Sequence, residues 1–262
     1  MKSVYAGGEK VGEFESYDEL RVGDGKPAFI YEGSELVYPN PVKDGLVLWY
    51  DFSGMTNEDI SRGIAKDLSG NGNHGTLQNF NFTEESGYEG SKLKFDGVDD
   101  KIEVEMLLPA LCTYEATFIK TSDFGWKSPM SSLQLTTVGD TGFSMTPRSN
   151  GITISAGDGI DRYTHLYFYT SPIPKNELTH LVTTYDGTSF SVYINGVLIG
   201  SQPFNLVQSD YINLGNWSRY TSLGYWYDWE THSAKVYNRP LTPEEIAHNY
   251  AIEKERFNIQ EV

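Results

Sequence analysis

The 262-residue chain carries 36 acidic and 20 basic residues, which gives a formal net charge of −16 at neutral pH. A sequence-independent nucleic-acid binder needs a cationic face, which nothing in the sequence supplies, and the same charge argues against attraction to anionic membranes. The single cysteine, Cys112, excludes an internal disulfide bond and a structural zinc site built on thiolates. The 18 tyrosines favour strands, and the 26 glycines and 11 prolines scattered along the chain favour tight turns.

The first forty residues contain a short pseudo-repeat, in which residues 4–11 align with residues 30–37. Each copy places β-forming residues on both sides of a Gly-containing turn, which is typical of a small hairpin. Two such hairpins cannot bury enough apolar surface to be stable alone, so we expect them to pack on the main domain or on a partner. The side chains expected to anchor that partner are Tyr5, Val11, Tyr31 and Val37.

The segment Pro39-Asn40-Pro41 interrupts any strand and has the composition of a linker. We therefore predict a β-hairpin anchoring segment over residues 1–40 and a main domain over residues 41–262. Residues 1–8 lack the apolar stretch of a secretory signal, and no apolar run reaches membrane-spanning length. The expectation is export by a route other than classical secretion, without membrane insertion.

The main domain has the pattern of a series of strands. Residues 101–105 alternate between apolar and charged side chains, which indicates one buried and one exposed face. Residues 181–185, 190–194 and 197–199 are separated by Asp-Gly and Asn-Gly, which favour tight hairpin turns because Gly and Asn tolerate positive φ. This pattern predicts a three-stranded meander.

One helix is predicted near the end of the chain. Thr242, Pro243 and Glu245 form a capping-box sequence, and Ile246 and Tyr250 follow at helical spacing. A helix covering one end of the sandwich is the expected result.

Five segments, in order, resemble the laminin-G-like, concanavalin A-like jelly-roll family. They are GLVLWYDF at 45–52, DLSGNGNHGTL at 67–77, FDGVDD at 95–100, THLVTTYDG at 179–187 (with Leu178 where the family usually has Trp), and VYNRPLT at 236–242. The resemblance implies an all-β fold: a two-sheet antiparallel jelly-roll sandwich, here with a small N-terminal β-hairpin extension and a short C-terminal helix. This fold hosts lectins, adhesion modules, glycanases and particle components alike, so it does not decide the function.

The N-terminal hairpin pair also resembles sequences at the starts of structural proteins from phages of Gram-positive bacteria. That resemblance implies a virion protein of the tail, baseplate or capsid surface, made in the host cytoplasm without a signal peptide. Its expected partners are other virion proteins through the N-terminal segment, host cell-wall polysaccharide, and further copies of the chain. A free carbohydrate-binding module or adhesin is the alternative, and a glycanase is the least favoured interpretation.

Catalytic signatures are few. A glycanase needs two facing carboxylates, and Glu103 and Glu105 share one face of a strand. The opposite face, with Ile102 and Val104, is the natural core side, so an exposed acidic edge strand is the simpler interpretation. The five histidines lie far apart without metal-binding spacing, and we predict that the protein is not an enzyme.

Calcium is a candidate cofactor, since its oxygen ligands occur on an irregular loop here. The expected ligands are Asp67, Asn71, Asn73 and Asp96. Ordinary turn chemistry is the competing interpretation, because Asp and Asn side chains also bond the local backbone.

Sugar binding usually needs flat aromatic faces beside a few polar groups. The expected carbohydrate-binding residues lie in loop-like stretches and are Trp126, Trp217, Tyr220 and Trp226. Core packing or contact between subunits is the competing interpretation, because alternate aromatic residues of a strand must point inward.

Overall fold

The computed structural model describes residues 2–6, 9–14, 29–32, 35–122, 125–219 and 225–259. The strands, in chain order, are β1 (Lys2–Ala6), β2 (Glu9–Phe14), β3 (Ile30–Glu32), β4 (Glu35–Tyr38), β5 (Leu46–Asp51), β6 (Ile64–Ala65), β7 (Gly75–Gln78), β8 (Gly87–Glu89), β9 (Lys92–Lys94), β10 (Lys101–Glu105), β11 (Cys112–Ile119), β12 (Phe143–Arg148), β13 (Gly151–Ala156), β14 (Thr164–Tyr169), β15 (Leu178–Tyr185), β16 (Ser189–Ile194), β17 (Val197–Pro203), β18 (Tyr211–Leu214) and β19 (Glu230–Tyr237). The helix α1 (Pro243–Phe257) follows them. The predicted all-β jelly-roll class is confirmed.

Two antiparallel sheets form the body. The first runs β17–β16–β15–β11–β19–β9–β8, with β5 also paired to β19. The second joins β6–β7–β10–β18 to β12–β13–β14 through Ser131, which bridges Ser144 of β12 and Asn213 of β18. Strand β14 therefore lies at one edge of the second sheet and β6 at the other.

The inner faces of the two sheets form the core. The ring of Tyr114 on β11 stacks on Phe143 of β12 at 4.3 Å between centroids, and Phe143 also contacts Phe190 of β16 at 5.0 Å. These contacts join the first sheet to the second, as in a face-to-face sandwich. All three aromatic side chains are buried completely.

The predicted meander is confirmed as β15, β16 and β17. Asp186 Oδ1 accepts hydrogen bonds from the backbone amides of Thr188 and Ser189, which closes the first turn. Asn195 and Gly196 take φ values of 49° and 78° in the second turn. The residue types that predicted these turns are therefore the ones whose conformations the turns require.

The predicted helix and its capping box are also confirmed. The Thr242 side chain accepts from the Glu245 amide, and the Glu245 carboxylate accepts from the Thr242 amide. The expected position of the helix over one end of the sandwich is wrong. Helix α1 covers the outer face of the first sheet, where Ile246 packs with Trp49 and Tyr237 in a second apolar cluster, because the strands there also present apolar side chains outward.

A buried ionic network lies between α1 and that sheet. Lys235 Nζ on β19 donates to Glu115 Oε1 of β11 and to Glu253 Oε1 of α1, both at 2.7 Å. His180 Nε2 lies 3.2 Å from Glu115 Oε1. All of these side chains are 0–1% exposed. The helix is thus held to the sheet by charges that have no access to solvent.

The N-terminal residues form two hairpins, β1–β2 and β3–β4, as the pseudo-repeat predicts. Tyr31 is 51% exposed, Val37 is half-buried, and the side chains of Tyr5 and Val11 lie outside the described residues. Tyr31 lines an apolar groove of about 390 Å³ together with Phe29 and Ile64. Within the described part of the chain, no helix has both the length and the apolar character needed to cross a bilayer.

The segment expected to be a linker is packed instead. Pro39 and Pro41 are buried, and the Asn40 carbonyl lies 3.0 Å from His248 Nε2 on α1. The Val42 amide donates to Asn249 Oδ1 on the same helix. The helix therefore holds the start of the sandwich in place. The Val42–Asn249 contact joins residues 207 positions apart, so local sequence does not reveal it.

Candidate functional site

Strand β14 carries a row of aromatic rings on the outer face of the second sheet. Because side chains alternate along a strand, Leu166 and Phe168 point into the core and are 9% and 4% exposed. Tyr167 and Tyr169 point outward and are 46% and 70% exposed. We call the outward set, completed by its neighbours, the aromatic face: Trp126, Tyr163, His165, Tyr167 and Tyr169.

The rings of the aromatic face contact one another in sequence. Trp126 stacks on His165 with 4.5 Å between centroids and an interplanar angle of 11°. His165 lies 5.1 Å from Tyr163 and 6.0 Å from Tyr167. Tyr167 and Tyr169 lie 6.2 Å apart at an interplanar angle of 15°, so two nearly parallel rings stand side by side on one strand.

Polar contacts fix the start of this row. The fully buried Asp140 accepts from the Tyr163 amide at 2.9 Å through one carboxylate oxygen and from the Thr136 amide through the other. His165 Nδ1 lies 2.9 Å from Ser155 Oγ on the neighbouring strand β13. His165, Tyr167 and Tyr169 therefore stand on a paired strand, whereas Trp126 and Tyr163 lie in the adjoining loops.

Trp126 is held from two sides. Lys127, the next residue, pairs with Asp228 at 2.6 Å. The guanidinium carbon of Arg148 on β12 lies 4.1 Å from the Trp126 ring centroid, and its Nη1 donates to the Gly125 carbonyl at 3.2 Å. Burial and the neighbouring Arg148 charge lower the pKa of His165 below its usual value, which keeps its ring neutral at pH 7.

Hydroxyl side chains lie beside the aromatic rings on the same face. Ser144 and Ser155 stand in the strand row that ends at His165, and Thr146 and Thr153 stand in the row that ends at Tyr167. All four are 0–2% exposed, although an outer sheet face is usually wet. Trp126 stacks on His165 at the end of one of these rows, so it adjoins this buried hydroxyl layer.

Several buried polar atoms of this layer have no hydrogen-bond partner within the described residues. They are Ser144 Oγ, Thr146 Oγ1, Asn213 Nδ2, Asn216 Nδ2 and Trp217 Nε1. Buried polar groups are nearly always satisfied in native proteins, by water where not by protein. This layer beside the aromatic face therefore contains polar atoms that can still form hydrogen bonds.

The carbohydrate-binding residues predicted from sequence differ in how deeply they are buried. Trp217 is 1% exposed, so the expectation that it is an exposed loop residue is wrong: Tyr163, at 5.0 Å, Tyr225 and Trp126 surround it. Trp126 and Trp226 are half-buried, and Tyr220 lies outside the described residues. Trp126 belongs to the aromatic face, and Trp217 supports it from beneath.

Tyr167 and Tyr169 were not among the predicted binding residues. Their signal was available in the alternation of residues 165–169, where His, Tyr and Tyr share one face and Leu and Phe share the other. Sequence alone could not say which of the two faces was the core, because both faces carry large rings.

The structure gives the Asp67 loop a local structural role. Asp67 Oδ1 accepts from the Trp49 and Ser69 amides, and Oδ2 accepts from Ser69 Oγ and the Asn73 amide, at 2.8–2.9 Å. The side-chain amides of Asn71 and Asn73 donate to carbonyls of β5. These contacts match the turn interpretation, and calcium binding by this loop stays a prediction.

Asp96 lies in a different group of acids. One carboxylate oxygen each from Asp96, Asp99 and Asp100 lie within 4.8 Å of one another. Asp96 Oδ1 accepts from the Val98 amide at 2.8 Å, and Asp100 Oδ2 accepts from the Asp96 amide at 2.9 Å. Burial, together with the neighbouring carboxylates, raises the pKa of Asp100 to about 6. The hydrogen bonds account for the turn, and the acids alone do not identify a cation site.

The acidic pair on β10 is engaged by cations. Glu103 pairs with Lys101 at 3.0 Å, and Glu105 pairs with Arg219 at 3.0 Å. Ile102 and Val104 are buried on the opposite side of the strand, as predicted. Both acids are therefore ion-paired on the side of the strand opposite to the core.

Residues 113–247, more than half of the chain, match a laminin-G-type family profile described as the concanavalin A-like lectin/glucanases superfamily. The chain belongs to this superfamily. The matched region includes β11 except its first residue, β12 to β19, and every residue of the aromatic face. A search of curated protein sequences found no match.

Solved structures share the superfamily fold. Domain 4 of AbnA, a GH43 extracellular arabinanase from Geobacillus stearothermophilus solved in complex with arabinotriose, is 18% identical with a TM-score of 0.59, covering 78% of this chain and 98% of that one. A Trypanosoma rangeli sialidase is 15% identical with a TM-score of 0.58, covering 80% of this chain and 33% of the sialidase. The botulinum neurotoxin serotype D binding domain is 16% identical with a TM-score of 0.59, covering 80% and 51%. At these identities the likeness concerns the fold alone.

Proposed function

We propose that this chain is a non-catalytic carbohydrate-binding domain whose aromatic face stacks on saccharide rings. One observation carries the proposal: Tyr167 and Tyr169 present two nearly parallel, solvent-exposed rings 6.2 Å apart on a single strand. Sugar rings have apolar faces that pack on such surfaces, while their hydroxyl groups bond to polar neighbours.

The surroundings of the two tyrosines support this use. Ring contacts from Trp126 to Tyr169 form one continuous apolar strip, and contiguous exposed apolar surface usually marks an interaction site. The rings stand on a paired strand, so little conformational entropy is lost when a ligand binds. A linear saccharide lying along β14 would meet successive rings.

Alanine variants test the proposal. Tyr167→Ala and Tyr169→Ala should each lower affinity for the preferred glycan about tenfold or more, because a buried aromatic contact contributes on the order of 1–3 kcal/mol. Tyr31→Ala is the matched control, since Tyr31 is 51% exposed but lies on β3. Screening on a glycan array, followed by titration calorimetry with each variant, measures the effect. Unchanged binding in both variants, or no glycan bound at all, would contradict the proposal.

The absence of catalysis is part of the same proposal. Hydrolysis by the usual route requires two carboxylates facing each other across the bond. Glu103 and Glu105 are ion-paired, and both oxygens of Asp140, the acid that holds Tyr163, accept backbone amides. Glycans that bind should therefore be recovered intact after prolonged incubation. Hydrolysis that Glu103→Gln abolishes would show that the protein is a glycanase.

For the setting of this domain we propose display on a phage particle, with the N-terminal hairpins as the anchor. The support is the sequence resemblance together with the two short hairpins, which need a further surface to bury their apolar residues. Tagged full-length chain carrying Val11→Ser or Tyr31→Ala should recover less of the other virion proteins while keeping glycan affinity. If the unaltered chain recovers no virion protein, the phage setting is contradicted and the free module or adhesin is the remaining setting.

A further inference from the structure

Two arginines adjoin the aromatic face, although the chain as a whole has a formal charge of −16. Arg148 lies against Trp126, and the exposed Arg162 precedes Tyr163. Neither arginine forms an ion pair with a carboxylate within the described residues. Other arginines of the chain do: Arg219 pairs with Glu105, Arg239 with Glu245, and Arg256 with Asp51.

The two charges act on rings of the aromatic face. The positive charge of Arg148 contributes, after burial, to the lowered pKa of His165. Burial raises the pKa of the Tyr163 hydroxyl, and the charge of Arg162 opposes that rise. The contact of Arg148 with Trp126 places its guanidinium on this face, and Arg162 adjoins the face as the chain neighbour of Tyr163.

Arg148 keeps most of its hydrogen-bonding capacity. A guanidinium has five N–H donors, and Arg148 uses one of them on the Gly125 carbonyl. A planar guanidinium fits carboxylate and phosphate groups with two parallel hydrogen bonds. Its stacking on Trp126 holds the group in place, which reduces the entropy lost on binding.

Asp158, an acid near Arg162 in the chain, is already engaged by the backbone. Asp158 Oδ1 accepts from the Ile160 and Asp161 amides, which lowers the pKa of Asp158. The buried donors beside the rings, Asn213 Nδ2 and Trp217 Nε1, have no acceptor within the described residues. The polar groups near the aromatic face thus favour a ligand that supplies acceptors and negative charge.

We infer that the aromatic face selects acidic saccharides, with the rings stacking on the sugars while Arg148 and Arg162 bind carboxylate or phosphate substituents. This inference rests on the proposed carbohydrate-binding function and specifies the class of ligand. It accounts for two arginines that have no carboxylate partner within the described residues, which a neutral glycan would leave without a role.

The test uses ligands that differ only in charge. Full-length protein is titrated with polygalacturonate, with its fully methyl-esterified form, and with a poly(glycerol phosphate) polymer, which separates carboxylate from phosphate recognition. An array of carboxylated, phosphorylated and neutral glycans extends the comparison. We expect tighter binding of a charged ligand than of its neutral counterpart, and a loss of affinity as salt is raised.

Charge variants locate the effect. Arg148→Gln and Arg162→Gln should each weaken binding of the charged ligand about tenfold, the usual effect of losing a charge-assisted hydrogen bond, with little change for neutral glycans. Arg148→Lys should restore part of the affinity. Lys66→Gln is the matched control, because it removes one exposed positive charge beside β6 at the opposite edge of the same sheet.

The outcomes separate this inference from the proposed function. Equal affinity for charged and neutral ligands, unaffected by Arg148→Gln and Arg162→Gln but lost in Tyr167→Ala, would overturn the charge selectivity and leave carbohydrate binding standing. Failure to bind any saccharide, or binding that Tyr167→Ala and Tyr169→Ala both leave unchanged, would overturn both.

Discussion

Replacing Lys235 by methionine should destabilise the fold strongly, because it leaves two carboxylates buried without their cation. Lys235 Nζ lies 2.7 Å from both Glu115 Oε1 and Glu253 Oε1, and all three side chains are 0–1% exposed. Removing one partner of a buried ion pair typically costs about 3–5 kcal/mol. For a domain of this size, that loss lowers Tm by roughly 6–20 °C.

The pH dependence has a definite sign. Burial alone would raise the pKa of Glu115, but Lys235 and then His180 hold that pKa well below its usual range. A carboxyl group with a lowered folded-state pKa stabilises the fold above its unfolded-state pKa of about 4.3, and that stabilisation is lost as the pH falls. The stability difference between wild type and Lys235→Met should therefore be full at neutral pH and shrink in acid.

Chemical denaturation at several pH values, followed by tryptophan fluorescence, measures this difference. The control is the triple variant Glu115→Gln, Lys235→Met, Glu253→Gln, which removes all three charges while keeping oxygen acceptors for the neighbouring donors. It should be more stable than Lys235→Met alone, since no charge is left unpaired. A loss below about 1 kcal/mol in the single variant, or an equal loss in the triple variant, would refute the reasoning.

Local geometry gives four further predictions. Asp67→Ala removes four accepted hydrogen bonds and should lower the free energy of unfolding by about 2–4 kcal/mol, equally in calcium and in chelator. A loss of stability confined to calcium-containing buffer would instead show a cation site. Arg148→Gln should raise the pKa of His165 towards its usual value in an NMR titration, and an unchanged pKa would show that burial alone sets it. Gly142→Ala should prevent stable folding or lower the free energy of unfolding by several kcal/mol in urea denaturation. The reason is that φ is 71° at this position and an added Cβ would lie 2.1 Å from a backbone carbonyl oxygen. A stable variant would show that this turn can shift. Thr242→Ala should lower the free energy of unfolding by about 1 kcal/mol through loss of the helix cap, and no change would mean that the cap is redundant with packing.

The parts of the fold that sequence could predict are those controlled by neighbours in the chain. The Asp186 and Asn195 turns and the Thr242 cap depend on the conformational preferences of a few adjacent residues, and all are confirmed. The buried Lys235 network could not be predicted, because Glu115 and Lys235 are 120 positions apart and each has the sequence context of an ordinary surface charge. Burial of a charge depends on what packs above it, which local pattern does not encode.

The candidate site also has features that sequence could predict and features that it could not. Alternation along β14 predicts that half of its rings point outward, but the burial of Trp217 depends on Trp126, Tyr163 and Tyr225, which come from three separate segments. A loop-like sequence therefore suggested exposure where tertiary contacts remove it. The exposure of Tyr167 and Tyr169 could not be predicted, because the sequence of a strand with rings on both faces does not show which face is buried.

The outer faces of the two sheets are covered differently, and this difference supports the proposed binding site. The first sheet is covered by α1, so its outer apolar residues, Trp49 among them, contribute to stability. On the second sheet, Trp126 stacks on His165, and Trp217 is 1% exposed among neighbouring rings. Tyr167 and Tyr169 are 46% and 70% exposed at a sheet edge, while Leu166 and Phe168 already supply the core contacts of β14. Because their rings are not needed to complete the sandwich, a ligand surface is the physical reason that best accounts for them.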